Sequence, residues 1–254
     1  MQCKGVIITQ IDRRVAATDL HNMGRHAGVS NRGTIEMMSQ HDRNEKHEAG
    51  SGTGTAAPTA VESWAFAQSL IHSRRNVTPR RLVVPGPDDG QLQSLLALAA
   101  AAPDHGQLTP WRFVIVPQEQ RHRLAEAFAL ALVDRDPAAT ETQIASAREK
   151  AYRAPLLLVA VACLGPREPD TPSLERLVSM GAAIQNLLLG AHALGFGSGL
   201  TSGKAMASVR LRALLELVEH EQAVCCVNIG SVVRNKPREG LRPEPAAFVR
   251  MLGA

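Results

Sequence analysis

The segment at residues 102–111, Ala-Pro-Asp-His-Gly-Gln-Leu-Thr-Pro-Trp, contains several residue types that are common in binding sites. This stretch links a helical pattern to a strand pattern, and its prolines and glycine exclude regular structure. Loops held by rigid elements often carry binding residues, so His105 is a candidate ligand contact. The alternative is a capped turn, in which Trp111 joins the core and backbone groups satisfy His105. The residue types alone leave both interpretations open.

A glycine-rich segment, Gly-Phe-Gly-Ser-Gly-Leu-Thr-Ser-Gly, occupies residues 195–203. A dinucleotide fingerprint needs a strand before such glycines and a helix directly after them. Here a long helix precedes them, which excludes a Rossmann site. Glycines also expose backbone N–H groups where a side chain would block a ligand. We therefore predict a loop that contacts a ligand, with Gly195 also ending the helix.

Two basic pairs could bind a phosphate group. Arg74 and Arg75 follow the first helix, and Lys236 and Arg238 lie in the C-terminal tail. A guanidinium group can bind phosphate through two parallel hydrogen bonds, although a solvated Arg-Arg pair is the simpler alternative. The sequence shows no Ser-His-Asp arrangement, no P-loop and no His/Cys/Glu spacing for a metal. We therefore expect no metal site and name no catalytic side chain.

The amino-acid composition limits the classes of protein to which this chain can belong. Of the 254 residues, 44% are hydrophobic and only 3% aromatic, so the core must consist mainly of Leu, Val and Ala. The net charge of +4 includes no dense basic run, which argues against nucleic-acid binding. No apolar run approaches the roughly 18 residues of a membrane span, and no signal-peptide core is visible, so we expect a cytoplasmic protein. Adjacent Cys225 and Cys226 should point to opposite faces of a strand as core thiols.

The periodicity divides the chain in two. Residues 1–60 are polar and end in a Gly/Ser/Thr tract, which predicts a disordered or weakly ordered extension. Residues 61–254 form the predicted globular domain. Helical patterns fall near residues 61–71, 88–99, 118–133, 144–152, 173–194 and 208–218, and strand patterns near 112–116, 156–163 and 223–229. Few strands among many helices indicate an α+β fold, or α/β with a small sheet.

Several features, taken in order, resemble the nitroreductase family over about residues 62–252. They are Arg-Arg-Asn after a helix, Pro-Gly-Pro-Asp-Asp-Gly-Gln-Leu, Ala-Pro-Asp-His with a following Pro-Trp, Arg-Ala-Pro before a buried strand, and a long helix into Gly-Phe-Gly-Ser-Gly. The similarity is greatest to the short branch of NAD(P)H nitroreductases. It implies an α+β fold with a small, mostly antiparallel central sheet flanked by helices and a long central helix. It also implies a domain-swapped homodimer that binds FMN at the subunit interface.

The resemblance assigns cofactor contacts by position. Arg74, Arg75 and Asn76 would contact the FMN phosphate and ribityl chain, and His105 would lie near the flavin. Residues Leu200, Thr201 and Ser202 would follow the isoalloxazine ring, and Lys236 and Arg238 would lie near the phosphate. Two departures stand out: Asn76 replaces the usual Ser, and Leu200-Thr201 replaces a common Trp-Arg. Loss of that Arg removes a cation that stabilises reduced flavin, which bears on substrate preference and rate.

The family also implies a reaction in which the cofactor carries the difficult chemistry. Hydride would pass from NAD(P)H to FMN, and an oxidised acceptor such as a nitroaromatic or quinone would then take the electrons in a ping-pong cycle. One alternative is an enzyme that uses reduced FMN for dehalogenation or flavin breakdown. Another is a flavin-binding sensor, or a relative that has lost activity. The apolar surface of helix 173–194 exceeds what one small subunit can cover, which supports a homodimer.

Overall fold

The computed structural model describes residues 57–166, 170–233 and 242–253. The helices are α1 (Ala60–Ser73), α2 (Asp89–Ala100), α3 (Arg121–Arg135), α4 (Glu141–Glu149), α5 (Ser173–Ala193) and α6 (Val209–Leu214). The strands are β1 (Leu82–Val83), β2 (Trp111–Ile115), β3 (Leu156–Cys163), β4 (Gly197–Thr201) and β5 (Glu221–Val232). Most of the predicted extension at residues 1–60 lies outside the described residues, so the division into extension and domain stays a prediction.

The strands form one antiparallel sheet organised around β5. This strand pairs with β1, β3 and β4, and β3 pairs in turn with β2. In β3, seven of eight residues are buried, as its continuous apolar run predicts. The α+β class and the small antiparallel sheet expected from the sequence are therefore confirmed.

Helices cover both faces of the sheet, because the side chains of β3 alternate between them. On one face, Leu158 and Ala160 pack with residues of α2 and α5, among them Leu95 and Leu187. On the other face, Leu157, Val159 and Val161 pack with residues of α3 and α6, among them Leu124 and Leu211. At the end of β4, Leu200 and Thr201 stay exposed.

Local signals place the helix ends correctly. The Asp88 carboxylate accepts a hydrogen bond from the Gln91 amide at 2.8 Å, and the Gln91 side chain accepts one from the Asp88 amide at 3.0 Å. This capping box starts α2 within one residue of the helical pattern predicted near residue 88. After α5, Gly195 adopts a left-handed conformation with φ of 85°, which confirms it as the residue that ends the helix.

The predicted loop at residues 195–203 is wrong in its central part. Residues Gly197–Thr201 form β4, which pairs with β5. The physical reason is close backbone packing: a Cβ on Gly199 would lie 2.1 Å from the carbonyl oxygen of Val77. Glycine is thus required here for contact between two segments of the chain.

A largely buried ion pair joins β2 to the start of β5. Arg112 Nε and Nη2 donate to Glu221 Oε1 and Oε2 at 2.7 and 2.9 Å, and the Glu221 side chain is 5% exposed. The hydrogen bond from Arg112 holds the pKa of the Glu221 carboxyl below its ordinary value. The carboxylate is therefore favoured in the folded state, as a bidentate partner requires.

We expect Glu221→Gln to lower the free energy of unfolding at neutral pH, because the neutral amide no longer supplies the negative charge that two hydrogen bonds from the half-buried Arg112 guanidinium require. A lowered folded-state pKa stabilises the fold above the unfolded-state pKa of about 4.3, and this contribution is lost as the pH falls through the folded-state pKa. The stability gap between wild type and variant should be full at pH ~7 and shrink below pH ~4. Urea unfolding at both pH values measures it. Glu126→Gln, which removes an exposed partner of Arg148, is the control; an equal effect of both variants would contradict the expectation.

Candidate functional site

Two segments predicted to contact the cofactor meet at the end of β4. Asn76 forms an isolated parallel bridge with Ser198, and the Val77 amide donates to the Ser198 carbonyl at 2.8 Å. The Leu200 amide donates to Asn76 Oδ1 at 3.3 Å. The residues that follow α1 therefore lie directly beside the strand that carries Leu200.

The hydroxyl groups beyond Leu200 are held by β5. Asn228, which is 1% exposed, donates from Nδ2 to Thr201 Oγ1 at 3.1 Å and to the Gly199 carbonyl at 3.3 Å. Ser202 Oγ donates to the Val224 carbonyl at 2.9 Å. These bonds fix the exposed end of β4 before any ligand binds. Our sequence analysis missed Asn228, although a lone amide within the apolar strand 223–229 was a usable signal.

A cluster of arginines lies at the carboxyl end of α1. Arg242 Nη2 donates to the carbonyl oxygens of Ile71, His72 and Arg74 at 3.2, 3.1 and 3.3 Å, which satisfies the helix end. Burial, and secondly repulsion from Arg242, lower the pKa of the Arg74 guanidinium. Arg75 follows directly in the chain. A site where cations repel each other is suited to an anion such as phosphate.

Arg242 was missed by sequence reasoning, which placed the tail contacts at Lys236 and Arg238. Those two residues lie outside the described residues, so their assignment stays a prediction. The signal for a basic tail near the phosphate was present, but it did not single out one residue. The contact between the tail and α1 joins residues far apart in the sequence, and no local sequence pattern predicts it.

The loop at residues 102–111 combines features of both interpretations. Trp111 is 8% exposed and packs in the core, as the capped-turn alternative requires. His105, however, is exposed, and its Nδ1 lies 2.8 Å from Glu175 Oε2, so a carboxylate and not the backbone satisfies it. Among the described residues, no hydrogen bond joins His105 to Asn76 or to Leu200–Ser202. Its contact with a cofactor therefore stays a prediction.

Thr201 and Ser202 also line a cleft of about 490 Å³ between the sheet, α3 and α4, which we call the basic cleft. Its cationic side chains are Arg135, Lys150, Arg153 and Lys204, and its lining includes no carboxylate. Its apolar side chains include Phe128, Leu132 and Leu157. A cleft of this size and mixed lining can hold a small organic molecule.

The cysteines of β5 belong to the core. Cys225 packs on the α2–α5 face of the sheet and Cys226 on the opposite face, which confirms their predicted orientation. Burial raises the pKa of Cys225 to about 11 and that of Cys226 to about 12, so neither is a reactive thiolate. In the part of the chain that the structure describes, no cluster of three or more His, Cys, Asp or Glu is placed to hold a metal. No described helix is long and apolar enough to cross a membrane.

Comparisons with known protein families and known proteins find similarity to nitroreductases. The profile of the nitroreductase family matches residues 72–231. Two bacterial proteins with the name "Putative NAD(P)H nitroreductase" are each 31% identical to this chain. The one from Haemophilus influenzae aligns over 68% of this chain and 92% of its own length, and YdjA from Escherichia coli K12 over 72% and 97%.

Solved structures show the same fold. The nitroreductase-like family protein from Bacillus cereus superposes with a TM-score of 0.61 at 22% identity, over 73% of this chain and 95% of that one. A variant of the FMN and NADPH-dependent nitroreductase NfnB from sphigopyxis sp. strain HMH superposes with a TM-score of 0.57 at 20% identity, over 74% and 99%. On the family match and the sequence identity to its relatives, the chain belongs to the nitroreductase family.

Proposed function

We propose that this oxidoreductase binds FMN and uses NAD(P)H to reduce a small oxidised acceptor, such as a nitroaromatic or a quinone. The observation that carries the proposal is the 2.8 Å backbone bond between Val77 and Ser198, which brings the Arg74–Asn76 segment to the end of β4. The relatives' names, NAD(P)H nitroreductase, and the FMN and NADPH dependence stated for NfnB support the choice of cofactor and reductant.

The residues present suit FMN. Arg74 and Arg75, with Arg242 beside them, would hold the phosphate, because clustered guanidinium groups are relieved by a dianion. Asn76 would contact the ribityl chain, while Leu200–Ser202 would lie along the ring, with the hydroxyl groups of Thr201 and Ser202 held in place by β5. Bound FMN supplies two-electron redox chemistry, so the chain needs only to bind, orient and shield. This agrees with the sequence, in which no arrangement of a nucleophile with a general base is recognisable.

Exposed apolar side chains support the predicted homodimer. On α1, Val61 is 77% and both Trp64 and Phe66 are 65% exposed; on α5, Leu174 is 73% and Val178 is 68% exposed. Apolar patches of this kind on a single chain mark interaction surfaces. We infer that a second copy covers these two helices. The cytoplasmic location stays a prediction.

A specific departure favours a second candidate, a flavin-binding sensor. Leu200-Thr201 stands where the resembled branch commonly has Trp-Arg, which removes a cation that would stabilise reduced flavin. Lys204, in the next turn of the chain, supplies a positive charge to the basic cleft, which Thr201 also lines.

An absorption spectrum of the purified full-length protein, taken before and after anaerobic addition of NADH or NADPH, distinguishes these functions. For the oxidoreductase we expect flavin bands that bleach with at least one nicotinamide. Flavin that stays oxidised with both would favour the sensor. A colourless protein that takes up no added FMN would refute both.

A further inference from the structure

Three of the four positive charges of the basic cleft have no ion-pair partner among the described residues. Arg153 is paired, because its Nη2 lies 3.1 Å from Glu149 Oε2. Arg135, Lys150 and Lys204 form no ion pair with a described carboxylate. These three cations come from α3, the turn after α4, and the turn after β4, and they converge on one cavity.

The cleft also has an apolar side. Phe128 and Leu132 of α3 lie one turn apart on the same helix and both line it, together with Leu157 of β3. A planar organic body can pack against such side chains, while an anionic substituent meets the cations. The lining also includes Thr201 and Ser202, which are the residues assigned to the flavin ring.

We propose that the basic cleft binds the acceptor and that the preferred acceptors are aromatic compounds with a carboxylate or similar anionic group. This proposal rests on the proposed function, since it takes Thr201 and Ser202 to lie beside the flavin. Arg135 and Lys150 bind the anionic group, and Phe128 and Leu132 contact the ring. The acceptor class is thus set by the positive charge of the cleft.

Steady-state kinetics with 4-nitrobenzoate and 4-nitrobenzamide, which have the same shape and differ in charge, tests the proposal. The wild-type enzyme should prefer the benzoate in kcat/KM by about fivefold or more, the size expected of charge-assisted bonds to solvent-exposed cations. Arg135→Gln and Lys150→Gln should each lower kcat/KM for the benzoate several times more than kcat/KM for the amide. Arg123→Gln, on the same helix but outside the cleft, is the matched control and should change neither.

Several results would overturn the proposal. The first is an equal kcat/KM of the wild-type enzyme for the two acceptors, and the second is an equal loss of kcat/KM for both acceptors in the variants. The third is a KM that rises in the variants for NADPH but not for NADH, which would assign the cleft to the coenzyme phosphate. Loss of bound FMN in Arg135→Gln or Lys150→Gln would assign it to the flavin. In a protein that takes up no FMN, the proposed function fails and the cleft is tested separately by calorimetric titration with both compounds. Weaker 4-nitrobenzoate binding in both variants would then support the cleft assignment, and unchanged binding would reject it.

Discussion

Replacement of both Arg74 and Arg75 by alanine should leave the purified protein nearly free of FMN. Each guanidinium would lose charge-assisted hydrogen bonds to the phosphate, worth about 1.5–3 kcal/mol per bond. The loss of one bond from each residue then weakens binding by about 3 kcal/mol or more, which is a factor of about 100 in Kd. The flavin absorbance of the purified protein and the quenching of FMN fluorescence on titration measure the effect.

The matched control is the double variant Arg123→Ala with Arg148→Ala, which removes the same number of positive charges from the exposed faces of α3 and α4. It should keep its flavin. Without flavin, both double variants should unfold at nearly the same temperature as the flavin-free wild type, because the four arginine side chains contribute little to the core. Unchanged flavin content after loss of Arg74 and Arg75 would mean that the phosphate binds elsewhere.

Gly199→Ala should cost both stability and flavin binding. The new Cβ would lie 2.1 Å from the Val77 carbonyl oxygen and 3.1 Å from Asn76 Oδ1. The first of these atoms belongs to the backbone and cannot rotate away, so the Asn76–Val77 segment must move off β4. We expect a destabilisation of about 2–3 kcal/mol, at the upper end for small-to-large changes in packed regions. Chemical denaturation, together with the flavin content, measures both effects.

Gly90→Ala provides the control for this experiment. Gly90 lies in the first turn of α2, and a Cβ there would have an ordinary contact of 3.5 Å with Asp88 Oδ1. Alanine in a helix should stabilise by about 0.5–1 kcal/mol relative to glycine. If Gly199→Ala unfolds at the wild-type denaturant concentration and keeps its flavin, β4 does not pack on Val77 as described. The double replacement of Arg74 and Arg75 has a different expected result, since it should remove the flavin and leave the stability of the flavin-free fold unchanged.

Elements with a complete local signal could be predicted from the sequence. The run of apolar residues at 156–163 gave β3 its bounds, since only a strand covered on both faces has that pattern. The start of α2 was predicted near residue 88, because a helix cap involves only neighbouring residues; the structure shows that Asp88 and Gln91 form it. The β4 strand lacks such a signal, since its glycines resemble a loop until the position of Val77 is known.

The candidate site could be predicted only in part, for the same reason. The resemblance supplied Arg74, Asn76 and Thr201, and the structure brings their segments together. Asn228 and Arg242 act through partners far away in the sequence. The lone amide in an apolar strand marks Asn228 without showing its partners, and no local pattern marks Arg242. The charge pattern of the basic cleft arises likewise from α3, the end of α4 and the turn after β4, and it exists only in the folded chain.

The position of β5 in the chain has a consequence for biosynthesis. This strand pairs with β1, β3 and β4, whose residues begin at Leu82, yet it is made only when translation reaches Glu221–Val232. Until then the nascent polypeptide holds β3 with an unpaired apolar edge, which is a template for association with other chains. The sheet must therefore close late during synthesis, and the growing polypeptide depends on being shielded from its neighbours up to that point.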